Sequence, residues 1–127
     1  MNRRTIEALD APSASGGYSQ ALEVERATRT LYVSGQIPVS VDGATPTSFR
    51  EQCELAWRNL AAQLHAADMT LDNLVKVTTF LSDRRYGAEN GEVRREVLGD
   101  RSPALTVIVT GIFDPAWLLE IEAIAAA

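Results

Sequence analysis

Residues Ser102 to Ala127 read SPALTVIVTGIFDPAWLLEIEAIAAA, and no other stretch of the chain restricts its fold as much. Two apolar runs, Leu105 to Thr110 and Leu118 to Ile124, are split by Asp114-Pro115, which a central strand does not accept because proline donates no ladder hydrogen bond. The segment predicts a two-strand unit with a loop. In its second strand Leu119 and Ile121 alternate with Glu120 and Glu122, so one face is apolar and the other carries two carboxylates. A solvated outer face explains that alternation without any chemistry, and a working carboxylate explains it equally well.

A chain of 127 residues is expected to form one domain, 1–127, that buries about two-thirds of its unfolded surface. Its 46% hydrophobic and 23% charged fractions are ordinary for a globular fold. The net charge is −5, and the 12 basic residues are dispersed apart from the pairs Arg3-Arg4, Arg84-Arg85 and Arg94-Arg95. A polyanion-binding footprint is therefore missing, which argues against nucleic-acid and anionic-membrane partners. Cys53 is the only cysteine and His65 the only histidine, so neither an internal disulfide nor a Cys- or His-rich metal site is expected. No run approaches the roughly 18 apolar residues of a membrane span, and the cytoplasm is the expected compartment.

Residues 1 to 17 are polar and end in Pro12-Ser13-Ala14-Ser15-Gly16-Gly17, which predicts a surface loop. Tyr18 to Val24 and Thr30 to Ser34 read as strands whose short connection suits an antiparallel hairpin. Ser48-Phe49-Arg50-Glu51 reads as a capping box, and Phe49, Cys53, Ala56, Leu60 and Leu64 recur at helical spacing behind it. Trp57 beside that stripe is expected in the core or a subunit contact, Cys53 as a small buried hydrophobe, and His65 as a surface residue near the helix end. Leu74 to Leu81, rich in Val and Thr, predicts a strand. Tyr86 to Leu98 predicts a second helix, weakened by Gly87 and Gly91 and stopped by Gly99. The order β-β-α-β-α-β-β implies an α+β fold with helices on one face of a sheet.

Several blocks together resemble one family. Ala11-Pro12, Gly17-Tyr18-Ser19-Gln20-Ala21, Ser34-Gly35-Gln36-Ile37-Pro38, Leu74 to Leu81, Asn90, Pro103-Ala104 and Glu120-Ile121-Glu122-Ala123-Ile124-Ala125 follow the order and spacing of the Rid (YjgF, reactive intermediate deaminase) family. The resemblance implies a chorismate-mutase-like fold, a mixed sheet packed against two helices. It also implies a homotrimer with a central barrel-like core and small-ligand clefts between subunits. An exposed apolar sheet face opposite the helices independently calls for such burial by other copies. In the best-known branch of the family, enamines and imines such as 2-aminoacrylate are hydrolysed to a keto acid and ammonia without metal or cofactor. By this resemblance Glu120 is the acid/base that orients water, while Tyr18, Ser34, Gly35 and Asn90 shape the cleft. Without it, Tyr18 and Ser34 read as turn and strand packing and Asn90 as a surface helix residue.

The chain departs from that branch after Pro103-Ala104, where the family arginine is replaced by Leu105. An arginine fork holds a carboxylate through two parallel charge-assisted bonds, and leucine offers neither. Arg101 is the nearest basic residue but precedes the proline, and Val107 further lines the strand with apolar surface. Leu105 and Val107 thus imply a more hydrophobic cleft, or plain strand packing. Two functions follow from the resemblance. One is an atypical enamine/imine deaminase, with 2-aminoacrylate disfavoured; the other is a non-catalytic trimer binding a small metabolite in the same cleft. A third, ribonuclease action, conflicts with the acidic balance.

Overall fold

The computed structural model describes residues 1–127, and the helices show most directly how local sequence becomes structure. Helix α1 spans Phe49–Ala66. Ser48 caps it, its hydroxyl oxygen accepting the Glu51 N–H at 3.2 Å and its O–H lying 3.1 Å from the Glu51 carboxylate. The predicted stripe of Phe49, Cys53, Ala56, Leu60 and Leu64 is buried along its whole length, with Trp57 in the core beside it. His65 is exposed in the last turn. Helix α2 spans Gly87–Leu98 and ends at Gly99, whose φ of 59° is a left-handed conformation that glycine adopts without a Cβ clash. Tyr86 stands just outside α2 and stacks on Phe49 at 4.6 Å between ring centroids, joining the two helices.

Six strands make two sheets: β1 (Asn2–Ile6) pairs with β2 (Ala21–Glu25), and β3 (Thr30–Gln36), β4 (Leu74–Leu81), β5 (Ala104–Val109) and β6 (Leu119–Ala126) form the larger one. Its order is β3-β6-β4-β5, antiparallel except for the parallel β4–β5 pair. A parallel pair needs a long crossover, and α2 supplies it. The result is the expected α+β fold, two helices against a mixed sheet. No helix is long and apolar enough to cross a membrane.

Pairing differs from the sequence reading in three places, each for a long-range reason. Residues 1 to 17 are not all loop, because Asn2–Ile6 forms β1. That strand has almost no apolar alternation and is held instead by its ladder to β2, by Arg3 donating to the Asp72 and Leu74 carbonyls, and by the Arg4–Glu23 ion pair at 3.2 Å. The predicted strand from Tyr18 begins only at Ala21, and β2 and β3 do not form a hairpin. Their connection runs through Arg26, which has φ of 59°, to the chain end, where Thr28 and Arg29 N–H groups donate to the Ala127 carbonyl at 2.8 and 3.1 Å. β3 is thereby delivered to β6 rather than back to β2. Finally, the two C-terminal strands are not neighbours, because β4 lies between them.

The register sorts side chains between the faces of the larger sheet. Val77, Thr79 and Leu81 of β4 and Leu119, Ile121 and Ala123 of β6 lie buried toward the helices. Phe80 pairs with Glu120 and Ile108, which places all three on the opposite, open face. Tyr32 on that face is 76% exposed, and Ile108 is 43% exposed.

Candidate functional site

Glu120 lies near the start of β6, half-buried on the open face, and the feature that distinguishes it from Glu122 is its neighbour in β3. The β3–β6 register advances three residues from Val33 to Gln36 while β6 moves two, from Ala123 to Ile121, so Ser34 and Gly35 form a bulge. Such bulges re-aim the strand and recur beside active sites. Here the glycine is needed for space: a Cβ on Gly35 falls 2.6 Å from Glu120 Cδ and 2.9 Å from its Cγ, inside van der Waals contact. The carboxylate therefore rests directly on the Gly35 backbone. Beyond it, Phe80, Thr110, Gly111, Ile112 and Phe113 complete a groove of about 250 Å³. Glu122 projects further along the same face and is exposed, as a solvated outer face requires.

The remaining predicted residues lie on the helix side of the sheet. Asn90 is 2% exposed, so it is not the surface helix residue its polarity allows; its Oδ1 lies 3.9 Å from Cys53 Sγ. Tyr18 sits in the loop before β2, where the Ser15 hydroxyl, and after it the Ser15 N–H that its hydroxyl oxygen accepts at 3.3 Å, draw its pKa below the ordinary tyrosine value. Next along the loop, Ser19 bridges Ala104 in parallel and donates from its N–H to the Pro103 carbonyl at 3.1 Å. Tyr18 is thus tied to the start of β5. Leu105 pairs with Val77 and packs half-buried on the core, and Val107 pairs with Thr79 and is 41% exposed.

The seven predicted site residues therefore fall into two sets within one chain. Ser34, Gly35 and Glu120 share the open face, while on the helix side Leu105 and Val107 stand on β5, Tyr18 sits in the loop tied to its start, and Asn90 is buried on α2 near Cys53 of α1. Leu105 and Glu120 are not brought together inside the chain: Leu105 pairs with Val77 and Glu120 with Phe80, three positions apart and therefore on opposite faces. Arg101 does not turn toward Leu105, since its Nε donates to Asp72 Oδ1 at 2.7 Å and its Nη1 to the Leu98 carbonyl at 3.1 Å. The groove residues Phe80 and Thr110 to Phe113 were missed by sequence reasoning. Phe80 was accessible in principle, because strand alternation places it on the face opposite Val77, but its alignment with Glu120 is a register fact. No three His, Cys, Asp or Glu side chains are grouped to hold a metal ion.

Cys53 contributes no nucleophile here. It is wholly buried on α1, and burial, reinforced by the nearby Glu54 and Glu89 charges, pushes its thiol from 9.0 up to about 12. The folded protein holds the thiol proton across a range in which the unfolded chain releases it, so this group weakens the fold as pH rises from about 9 toward about 12. Cys53 is expected to resist a disulfide-exchange reagent at pH 8 and to react promptly in denaturant. Rapid labelling of the native protein would contradict this placement.

A mixed sheet with two helices on one side and a glycine-backed carboxylate on the other define a protein of the α+β class. The endoribonuclease L-PSP family model matches residues 8–127, and the chain belongs to that family, the Rid (YjgF) family. It is 35% identical over 126 residues to the 2-iminobutanoate/2-iminopropanoate deaminase of Rattus norvegicus, across 97% of this chain and 89% of the relative. A RutC family protein of Pyrococcus horikoshii is 33% identical over 125 residues, 97% of each chain. Among solved structures, a Rid family protein of unknown function from Yersinia pestis superposes with a TM-score of 0.85 at 27% identity, over 100% of both chains. A putative endoribonuclease from Thermotoga maritima does so at 0.74 with 35% identity, over 98% of this chain and 97% of the other.

Proposed function

We propose that this protein hydrolyses small reactive enamines or imines to a carbonyl compound and ammonia, in clefts shared between the copies of a homotrimer. The observation that carries the reading is the Glu120 carboxylate seated on the Gly35 bulge at the mouth of an open groove. Three relatives at 32 to 35% identity bear the name 2-iminobutanoate/2-iminopropanoate deaminase, and this supports the same class of reaction here. An enamine first takes a proton at carbon to become an imine. Water then adds to the C=N carbon, and the carbinolamine loses ammonia to leave the carbonyl. Glu120 serves each step by holding the water and moving its protons, within the reach general acid–base catalysis requires. Tyr18 and Asn90 of one copy and Ser34, Gly35 and Glu120 of another form the cleft, because one sheet separates the two sets within a chain. A trimer also covers the exposed Tyr32 and Ile108. The proposed compartment is the cytoplasm, consistent with a free, buried Cys53.

The alternative, a non-catalytic trimer that binds a largely apolar metabolite in the same cleft, is favoured by one feature, the apolar Leu105 and Val107 wall. Ribonuclease action, which the family description names, finds little support in a chain of net charge −5.

The deciding experiment measures ammonia release from imines generated in situ by several amino-acid oxidases. Acceleration by the purified protein is expected. No turnover across that panel, with a small molecule co-purifying at the subunit interface, would replace the enzyme by the binding protein. Leu105→Arg is expected to raise 2-aminoacrylate deamination by about ten-fold or more, since one charge-assisted hydrogen bond contributes roughly 1.5–3 kcal/mol and about 1.4 kcal/mol is ten-fold. A folded, assembled Leu105→Arg protein without that gain would show that the cleft has diverged beyond its anchor.

A further inference from the structure

Arg94 is the one charged residue buried in the chain. It lies on α2 one turn beyond Asn90, on the same helix face, and is only 8% exposed. Its Nε is enclosed without a hydrogen-bond partner, and the guanidinium enters none of the ion pairs of the protein. The contrast with other arginines is plain. Arg50 pairs with Glu96 at 2.5 Å, Arg101 with Asp72, and Arg29 donates to the Ala67 and Asp68 carbonyls. Two other buried polar atoms lack partners, Trp57 Nε1 and Thr79 Oγ1, but both groups are neutral.

No carboxylate stands within ion-pair distance of the Arg94 guanidinium. Arg95 adds a second cation rather than a partner. Its side chain crosses the two glycines that frame this corner: a Cβ on Gly91 falls 3.1 Å from Arg95 Nη1, and one on Gly17, where φ is 74°, falls 3.6 Å from Arg95 Cγ. Gly17 of the loop before Tyr18 thus lies against the aliphatic part of the Arg95 side chain. Burial pushes the Arg94 pKa down from its ordinary value, and Arg95 adds to that push. Retaining a buried, unpaired cation is unfavourable for the empty protein, and residues that oppose stability in this way are characteristic of binding sites.

We infer that Arg94 binds the carboxylate of a small 2-imino or 2-oxo acid, beside Tyr18 and Asn90, in place of the grip that Leu105 does not provide. The inference rests on Tyr18 and Asn90 lining the proposed cleft. It supplies the anionic end of the ligand that the apolar β5 wall leaves unrecognised. The planar fork of arginine suits the task, because it forms two parallel bonds to one carboxylate.

Equilibrium binding separates this inference from the deaminase reading, because it needs no turnover. The probes are 2-oxobutanoate and butanone, which differ in the carboxylate, titrated calorimetrically into the assembled wild-type protein, Arg94→Met and Arg94→Lys. Wild type is expected to bind 2-oxobutanoate at least about ten-fold more tightly than butanone, and Arg94→Met to lose that difference while Arg94→Lys keeps part of it. Without ligand, Arg94→Met is expected to melt at or above the wild-type temperature, because methionine fills the space without an unpaired charge. Equal affinity of wild type for the two probes, or undiminished 2-oxobutanoate binding by Arg94→Met, overturns the inference. So does a loss of assembly and melting temperature in Arg94→Met with no carboxylate binding by wild type, which assigns the guanidinium to an acid of a neighbouring copy. Carboxylate binding lost in Arg94→Met without turnover by wild type leaves the inference standing and removes the deaminase; ammonia release unaffected by Arg94→Met does the reverse.

Discussion

Glu120→Gln is expected to lower the rate of ammonia release by about 10²- to 10⁴-fold, the usual contribution of one positioned general acid/base. The substitution keeps the shape of the side chain and removes its ability to take and return a proton. Its structural cost is small, because Glu120 is half-buried on the open face and its side chain takes part in no hydrogen bond to the rest of the chain and no ion pair. The melting temperature should therefore stay within about 2 °C of wild type, a change of well under 1 kcal/mol for a chain of this size. Steady-state ammonia release from an imine that wild type turns over, alongside a thermal melt, checks both halves. Equal rates for the two proteins would remove Glu120 from the mechanism.

Gly35→Ala tests the same carboxylate from the other side and touches no group with acid–base chemistry. The position has no left-handed φ that demands glycine, so alanine strains no backbone. The added methyl meets the end of the Glu120 side chain, with Cδ 2.6 Å away, and a flexible side chain yields at little cost. The carboxylate must move, and an ångström of displacement in a reacting group costs about 10²-fold in rate. A protein that melts like wild type but works about a hundred-fold more slowly is the expected result. Full activity in Gly35→Ala would show that the position of the Glu120 carboxylate against β3 is irrelevant to turnover. The two variants together distinguish loss of a proton carrier from its misplacement, since Glu120→Gln retains the position and Gly35→Ala retains the acid.

The assembly proposed here follows from a separation that one chain cannot overcome. Glu120 and Leu105 stand on opposite faces of a sheet whose strands pair without interruption between them. Joining the two sets takes a second copy, with the open face of one against the β5 edge of another. In the proposed assembly the cleft spans two copies, so dilution or an interface mutation that yields folded monomers should abolish function without unfolding the chain.

Local features were legible in the sequence because short-range interactions decide them. Ser48 and Glu51 cap α1 through contacts three residues apart, the stripe from Phe49 to Leu64 repeats at helical spacing, and Gly99 ends α2 because it accepts a left-handed turn. Alternation from Leu119 to Ala123 likewise sorted the buried apolar residues of β6 from Glu120 and Glu122. Tertiary structure alone decided which strands meet. The β1 strand has little to bury and exists through its ladder to β2, and β3 reaches β6 because the Arg29 and Ala127 backbones bond across the length of the chain. The same holds for the site. Glutamate at position 120 and glycine at position 35 were visible as residue types, but their contact depends on a one-residue bulge, and the isolation of Arg94 depends on which carboxylates the fold leaves out of reach. Periodicity and capping are written within a few residues of one another, whereas register, burial and the absence of a partner belong to the folded whole.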